Sequence, residues 1–116
     1  MGKPTGPTNQ GIQELIKDLK KVSAENKVGI WKRVAEDLEK PTRERREVNT
    51  YKIERYANDG ETIVVPGKVL GSGEVKKKVK VAAMSFSQSA KKKVVTMSIR
   101  DLMKENPKGK NVRILG

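Results

Sequence analysis

ETIVVPGKVLGSGEVKKKVKVAAMSF, residues 61–86, decides the fold class. Before Gly60 the apolar residues recur at helical spacing; from Glu61 they bunch or alternate, as strands do. ETIVV is short and β-branched, Pro66-Gly67 interrupts it, KVL adds a second short strand, and Gly71-Ser72-Gly73 turns the chain. Residues 74–86 then alternate. Val75, Val79, Val81 and Ala83 point one way, with Lys77 the exception on that face. Lys76, Lys78 and Lys80 point the other way, about 6.6 Å apart along an extended strand. Val81-Ala82-Ala83-Met84 is apolar on both faces, as in a buried strand.

Upstream, the pattern is helical. Residues 1–11 read as a flexible tail, rich in glycine and proline. Ile12, Leu15, Ile16, Leu19 and Val22 form one helical face, and Trp31, Val34, Ala35 and Leu38 a second over 28–40, stopped by Pro41. Trp31 is the only tryptophan, and its place on that face makes it a core anchor. Asn49 or Thr50 caps a third, short helix bearing Ile53, Tyr56 and Ala57 and ending at Asn58-Asp59-Gly60. Downstream, Ser87 caps a helix through Ala90 and Val94. Ser98 with Asp101 starts another bearing Ile99, Leu102 and Met103, and 111–115 closes as a strand. Residues 12–116 are expected to form one domain of α/β class, with α+β the variant open at this stage.

Charge narrows the function. The 116 residues hold 26 Lys+Arg against 14 Asp+Glu, a net charge of +12. The first 60 residues carry 13 basic and 10 acidic side chains and the last 56 carry 13 and 4, so the excess lies in the second part. Such a surface suits a polyanion, and anionic membrane surfaces attract it too. With neither histidine nor cysteine, Cys/His zinc sites, thiol nucleophiles, Ser-His triads and disulfides are excluded. No apolar run approaches the roughly 20 residues that span a bilayer, and 1–11 lacks a signal-peptide pattern, so a cytoplasmic location is expected.

The glycine-lysine stretch fails as a nucleotide loop. A Walker motif built on Gly67-Lys68 needs glycine where Thr62 stands and Ser or Thr where Val69 stands. A dinucleotide fingerprint from Gly71-Ser72-Gly73 needs glycine at Lys76. Gly67, Gly71 and Gly73 are therefore turn or close-approach positions. Glu36, Asp37 and Glu39 sit beside Lys32, Arg33 and Lys40, as on a solvated, ion-paired helix face. No acid-base pair for catalysis emerges. The candidate phosphate contacts, on charge alone, are Lys68, Lys76, Lys78, Lys80, Lys91, Lys92, Lys93 and the joint Arg43, Arg45, Arg46, which reads equally as a solvated loop. Four aromatic residues are too few to pave a base-stacking sheet, so backbone and shape recognition is expected. An RNA scaffold is one solution. A winged helix-turn-helix on DNA, with 49–57 as recognition helix and 61–85 as wing, is another.

The run VNTYKIERYANDGETIVVPGKVLGSGEVKKKVKVAAMSFSQSA, 48–90, resembles the archaeal and eukaryotic-type ribosomal large-subunit protein eighteen family, related to bacterial large-subunit protein fifteen. VPGKVLGSG, the valine-alanine strand and FS-x-x-A carry the resemblance, and the two N-terminal helices, EKP at 39–41 and NP-x-G-x-x-V-R extend it over nearly the whole chain. The resemblance implies a structural component of the large subunit of an archaeal cytoplasmic ribosome. Its partners would be large-subunit ribosomal RNA and neighbouring ribosomal proteins, with no catalysis, cofactor, metal, small-molecule substrate, membrane or homo-oligomer. The implied fold is N-terminal helices followed by repeated β-β-α units.

Overall fold

A computed structural model describes residues 10–40 and 46–115. Their elements run α1 (Gln10–Asn26), α2 (Ile30–Leu38), β1 (Arg46–Asn49), α3 (Thr50–Tyr56), β2 (Thr62–Leu70), β3 (Lys80–Phe86), α4 (Gln88–Lys91), β4 (Val95–Ser98), α5 (Ile99–Glu105) and β5 (Val112–Ile114). Gln10 and Gly11, expected in the tail, are helical. Residues 1–9 and 41–45, with Pro41, lie outside the described residues.

Every strand pairing among these elements is parallel, which places the fold in the α/β class. β2 is the central strand. β3 lies along one side of it with β4 beyond. The other side is shared: β5 pairs with Thr62–Val64 and β1 with the 67–70 half. The register shifts between Val65 and Lys68, on either side of Pro66-Gly67. Proline donates no ladder hydrogen bond, so a central strand accommodates it only at such an irregularity. The interruption expected at Pro66-Gly67 is thus a bulge within one strand of nine residues. Gly67 is consequently no turn: it is buried in β2 opposite Arg46.

Two apolar cores flank the sheet. Val64 and Ala82 face α1, α2 and α5, where Leu15, Leu19, Trp31, Val34, Leu38, Ile99 and Leu102 are buried. Ile63, Val65, Val69, Val81 and Ala83 face the other way, onto Ile53 and Ala57 of the α3 region and Ala90 of α4. The alternation read at 79–83 therefore holds, with Val79 in the second core. A sheet covered on both faces needs strands that are apolar on both, which is why β2 and β3 read as runs of valine and alanine. Trp31 is fully buried, and its indole N–H donates to the Pro107 carbonyl at 2.8 Å, tying α2 to the turn after α5. It is a core anchor.

Several expectations change. β1 falls in what reads as a basic joint, and β4 in what reads as the link between two helices, because four-residue strands leave too few residues to show a period. α4 stops at Lys91, short of Val94. Residues 74–79 are irregular, so Lys76 and Lys78 do not lie on a strand. They form a crossover along α3 that lets β3 run parallel to β2. A wing is an antiparallel hairpin; β2 and β3 are parallel, so the winged-helix alternative has no wing. The β-β-α order occurs once, at β2-β3-α4, and elsewhere among the described elements strands and helices alternate singly after α1 and α2. Tyr56, placed with Ile53 and Ala57 on the third helix, is about half exposed, because Ile53 and Ala57, one turn apart, define the buried side of α3.

Candidate nucleic-acid interface

The Gly71-Ser72-Gly73 segment sits at the carboxyl ends of the strands, pressed onto two helix starts. A Cβ on Gly71 would fall on the Ser89 hydroxyl and within 2.6 Å of the Ala90 amide nitrogen of α4. Gly73 adopts φ +100°, and a Cβ there would lie 2.5 Å from that of Tyr51 in α3. The segment's three carbonyls are taken. The Tyr51 amide donates to the Ser72 carbonyl at 2.9 Å, and the fully buried Thr50 hydroxyl donates to the Gly73 carbonyl at 2.5 Å. Lys93 completes the clamp, its ammonium donating to the carbonyls of Gly71 at 2.7 Å and Gly73 at 3.0 Å. This arrangement holds three elements together.

The opposite end of the sheet is different. A cleft of about 660 Å³ opens where β2, β3 and β4 begin, and Lys77, Lys78, Lys80, Lys92 and Lys93 line it. Two stretches separated by more than ten residues in the chain converge there because β3 and β4 are neighbours, with Lys80 opposite Val95. The crossover is fixed by acids from the α3 side. A Glu54 carboxylate oxygen accepts the amides of Lys76 at 2.8 Å and Lys77 at 3.1 Å, and Asp59 accepts the amide of Lys78 at 3.1 Å. The Lys77 ammonium turns back to the Ala57 carbonyl at 2.8 Å. Glu54 is held below the usual carboxylate range by those two amides. Glu61, at the cleft, is lowered by the Asn58 amide and then by the Arg113 guanidinium, which donates to it at 3.2 Å.

The acids nearest the cleft are therefore engaged, and the ammonium groups of Lys78 and Lys92 have no ion pair or hydrogen bond with any described residue. Lys80 has only an exposed pair with Glu105 at 3.5 Å. Crowding cations around one concavity raises the local positive potential, which a phosphate chain relieves.

Of the residues singled out on charge, the cleft brings together Lys78, Lys80, Lys92 and Lys93. Lys76, Lys91 and Lys68 are exposed but line other surface, Lys68 from the carboxyl half of β2 beside Glu47. Arg43 and Arg45, and the side chain of Arg46, lie outside the described residues. Lys77 reads from alternation as core-facing, and nothing in the sequence marks Glu54 and Asp59 as supports. The contacts of Glu54 with 76–77 span more than 20 residues, and no spacing rule reaches that far. Of the acids expected on an ion-paired face, Asp37 and Glu39 are paired, with Lys40 at 3.3 Å from Asp37 and Lys20 of α1 at 2.8 Å from Glu39.

A parallel sheet with helices on both faces, strongly basic and with five lysines lining a cleft at one end, defines a small α/β protein suited to holding a polyanion. The family model for ribosomal proteins 50S-L15, 50S-L18e and their 60S member matches residues 11–97, and the chain belongs to that family. It is 51% identical over 113 residues to large ribosomal subunit protein eL18 of Archaeoglobus fulgidus, covering 93% of this chain and 97% of that one. It is 50% identical to the eL18 protein of Methanoregula boonei, covering 93% of each chain. To that of Methanopyrus kandleri it is 43% identical, covering 97% and 96%.

Proposed function

We propose that this protein is a structural constituent of the large subunit of an archaeal cytoplasmic ribosome and that it holds large-subunit ribosomal RNA by its phosphates. The observation that carries the reading is the lysine-lined cleft at the amino ends of β2, β3 and β4, in a chain whose relatives are large-subunit proteins. Lys78, Lys80 and Lys92 are the primary contacts; Lys68, Lys76 and Lys91 extend the basic surface, and Arg43, Arg45 and Arg46 belong to the same proposal. Residues 12–116 act as one RNA-binding unit, in a single copy beside neighbouring ribosomal proteins, with no chemical step and no cofactor. A two-stranded DNA reading finds no support in the geometry, since the element it required as a wing is a parallel strand pair.

Sucrose-gradient sedimentation of cell extract tests the assignment. The protein should travel with the large subunit and leave it only as salt is raised, because phosphate contacts are screened by salt. Its absence from the large-subunit peak at low salt would overturn the reading.

A further inference from the structure

The outward face of α3 has no role in the cleft, yet its composition is unusual for this chain. Of the four aromatic side chains, Trp31 is buried and Phe86 is half-buried against the second core. Tyr51 and Tyr56 are both 49% exposed, and both belong to α3. Residues 51, 52, 55 and 56 form one stripe of a helix, on the side away from Ile53, in the order Tyr51, Arg55, Lys52, Tyr56, so the exposed cations lie between the two tyrosines. The Arg55 guanidinium lies over the Tyr56 ring, 5.5 Å from its centroid. Glu54, the acid in this helix, is bound to the crossover amides instead. The stripe thus presents two rings and two cations with no carboxylate among them.

We propose that this face of α3 stacks on unpaired bases of RNA, with Tyr51 and Tyr56 as the platforms and Lys52 and Arg55 on the flanking phosphates. The proposal rests on the RNA-binding reading above and adds a preference to it: the cleft holds backbone of any RNA form, whereas α3 selects single-stranded segments. Rings on either side of a pair of cations suit that target, because every base offers a π-face and every linkage a phosphate. A guanidinium already seated on one face of the Tyr56 ring leaves the other face to a base.

The test uses the full chain and two fluorescently labelled RNAs of about 12 nucleotides per strand, within the span such binders cover. One is a single strand without self-complementarity; the other is a perfect duplex. The double variant Tyr51→Ala, Tyr56→Ala keeps the Cβ against which Gly73 packs. It should bind the single strand roughly fivefold to a hundredfold more weakly. Its duplex affinity and its salt dependence should match the parent, since no charge is removed. Tyr51→Phe with Tyr56→Phe should restore single-strand binding, because the ring and not the hydroxyl is the platform. Unchanged single-strand affinity in the alanine variant, or an equal loss on both RNAs, would overturn the proposal. Failure of the parent protein to bind either RNA would instead overturn the RNA-binding reading on which it rests.

Discussion

The two ends of the parallel sheet use the same residue types for opposite purposes. At the carboxyl ends of the strands, glycine and lysine close the structure: Gly71 and Gly73 lie against α4 and α3, and Lys93 binds both their carbonyls. At the amino ends, Gly60 stands in open space and Lys78 and Lys92 face solvent beside a cleft. Ligands of open α/β sheets ordinarily bind outside the carboxyl ends of the strands. Here the chain's own loop fills that place, and the lysine-lined cleft lies at the other end. Glycine beside lysine therefore says nothing about function until the partners of the ammonium group are known.

The two ends differ most in what surrounds their glycines. Gly73→Ala puts a Cβ onto Tyr51 and forces a side chain into φ +100°, and should cost about 3 kcal/mol of stability. Gly60→Ala, at φ +84° with nothing within 4 Å, meets only the conformational term and should cost about 1 kcal/mol. Urea denaturation of the two variants checks the ratio; equal losses would mean that the packing of the loop is not what separates the two ends.

Lys93→Met is the next largest. Removing an ammonium from two carbonyls should lower stability by about 1–2 kcal/mol while leaving the salt dependence of RNA binding nearly as it was. A fall in salt dependence without a fall in stability would move Lys93 to the phosphate-binding set.

Acid gives a smaller, broader effect. Asp18, held low by its hydrogen bond to Arg100, and Glu54 and Glu61, held low chiefly by backbone amides, all have folded-state values below their ordinary ones. Each bound state favours the charged form. Their contribution is fully present above the ordinary values of 3.8 and 4.5 and is lost as the pH falls below them. The urea midpoint should drop over that range, and Glu54→Gln should flatten the drop by removing one of the three groups. A curve identical to the parent's would mean that the Glu54 clamp on the crossover does not stabilise the fold.

Much of the fold is legible in the sequence because the long elements obey their periods. Leu15, Ile16 and Leu19, then Trp31, Val34, Ala35 and Leu38, are buried as their spacing requires, and Val79, Val81 and Ala83 share one core as alternation requires. The N-caps at Ser87 and Ser98 form as expected, accepting from the Ala90 and Asp101 amides. The strands β1 and β4 are not legible, because four residues do not establish a period. Nor is the parallel direction of β2 and β3, because a nine-residue crossover resembles a turn and an extension. The cleft is legible only as charge. Lys78 and Lys92 can be suspected from composition, but their convergence depends on sheet order, and the engagement of Lys93 and Lys77 on carbonyls depends on contacts more than 15 residues apart.

The proposed division of labour gives phosphates to the amino-end lysines and the closing of the fold to the carboxyl-end loop. The most direct measurement is the salt dependence of binding to large-subunit ribosomal RNA for the triple variant Lys78→Ala, Lys80→Ala, Lys92→Ala. The log–log slope should become shallower by about 2–3, close to one per phosphate contact removed. The urea midpoint should stay near that of the parent, since these ammonium groups make at most one exposed ion pair among the described residues. An unchanged slope would mean that these lysines do not hold phosphates.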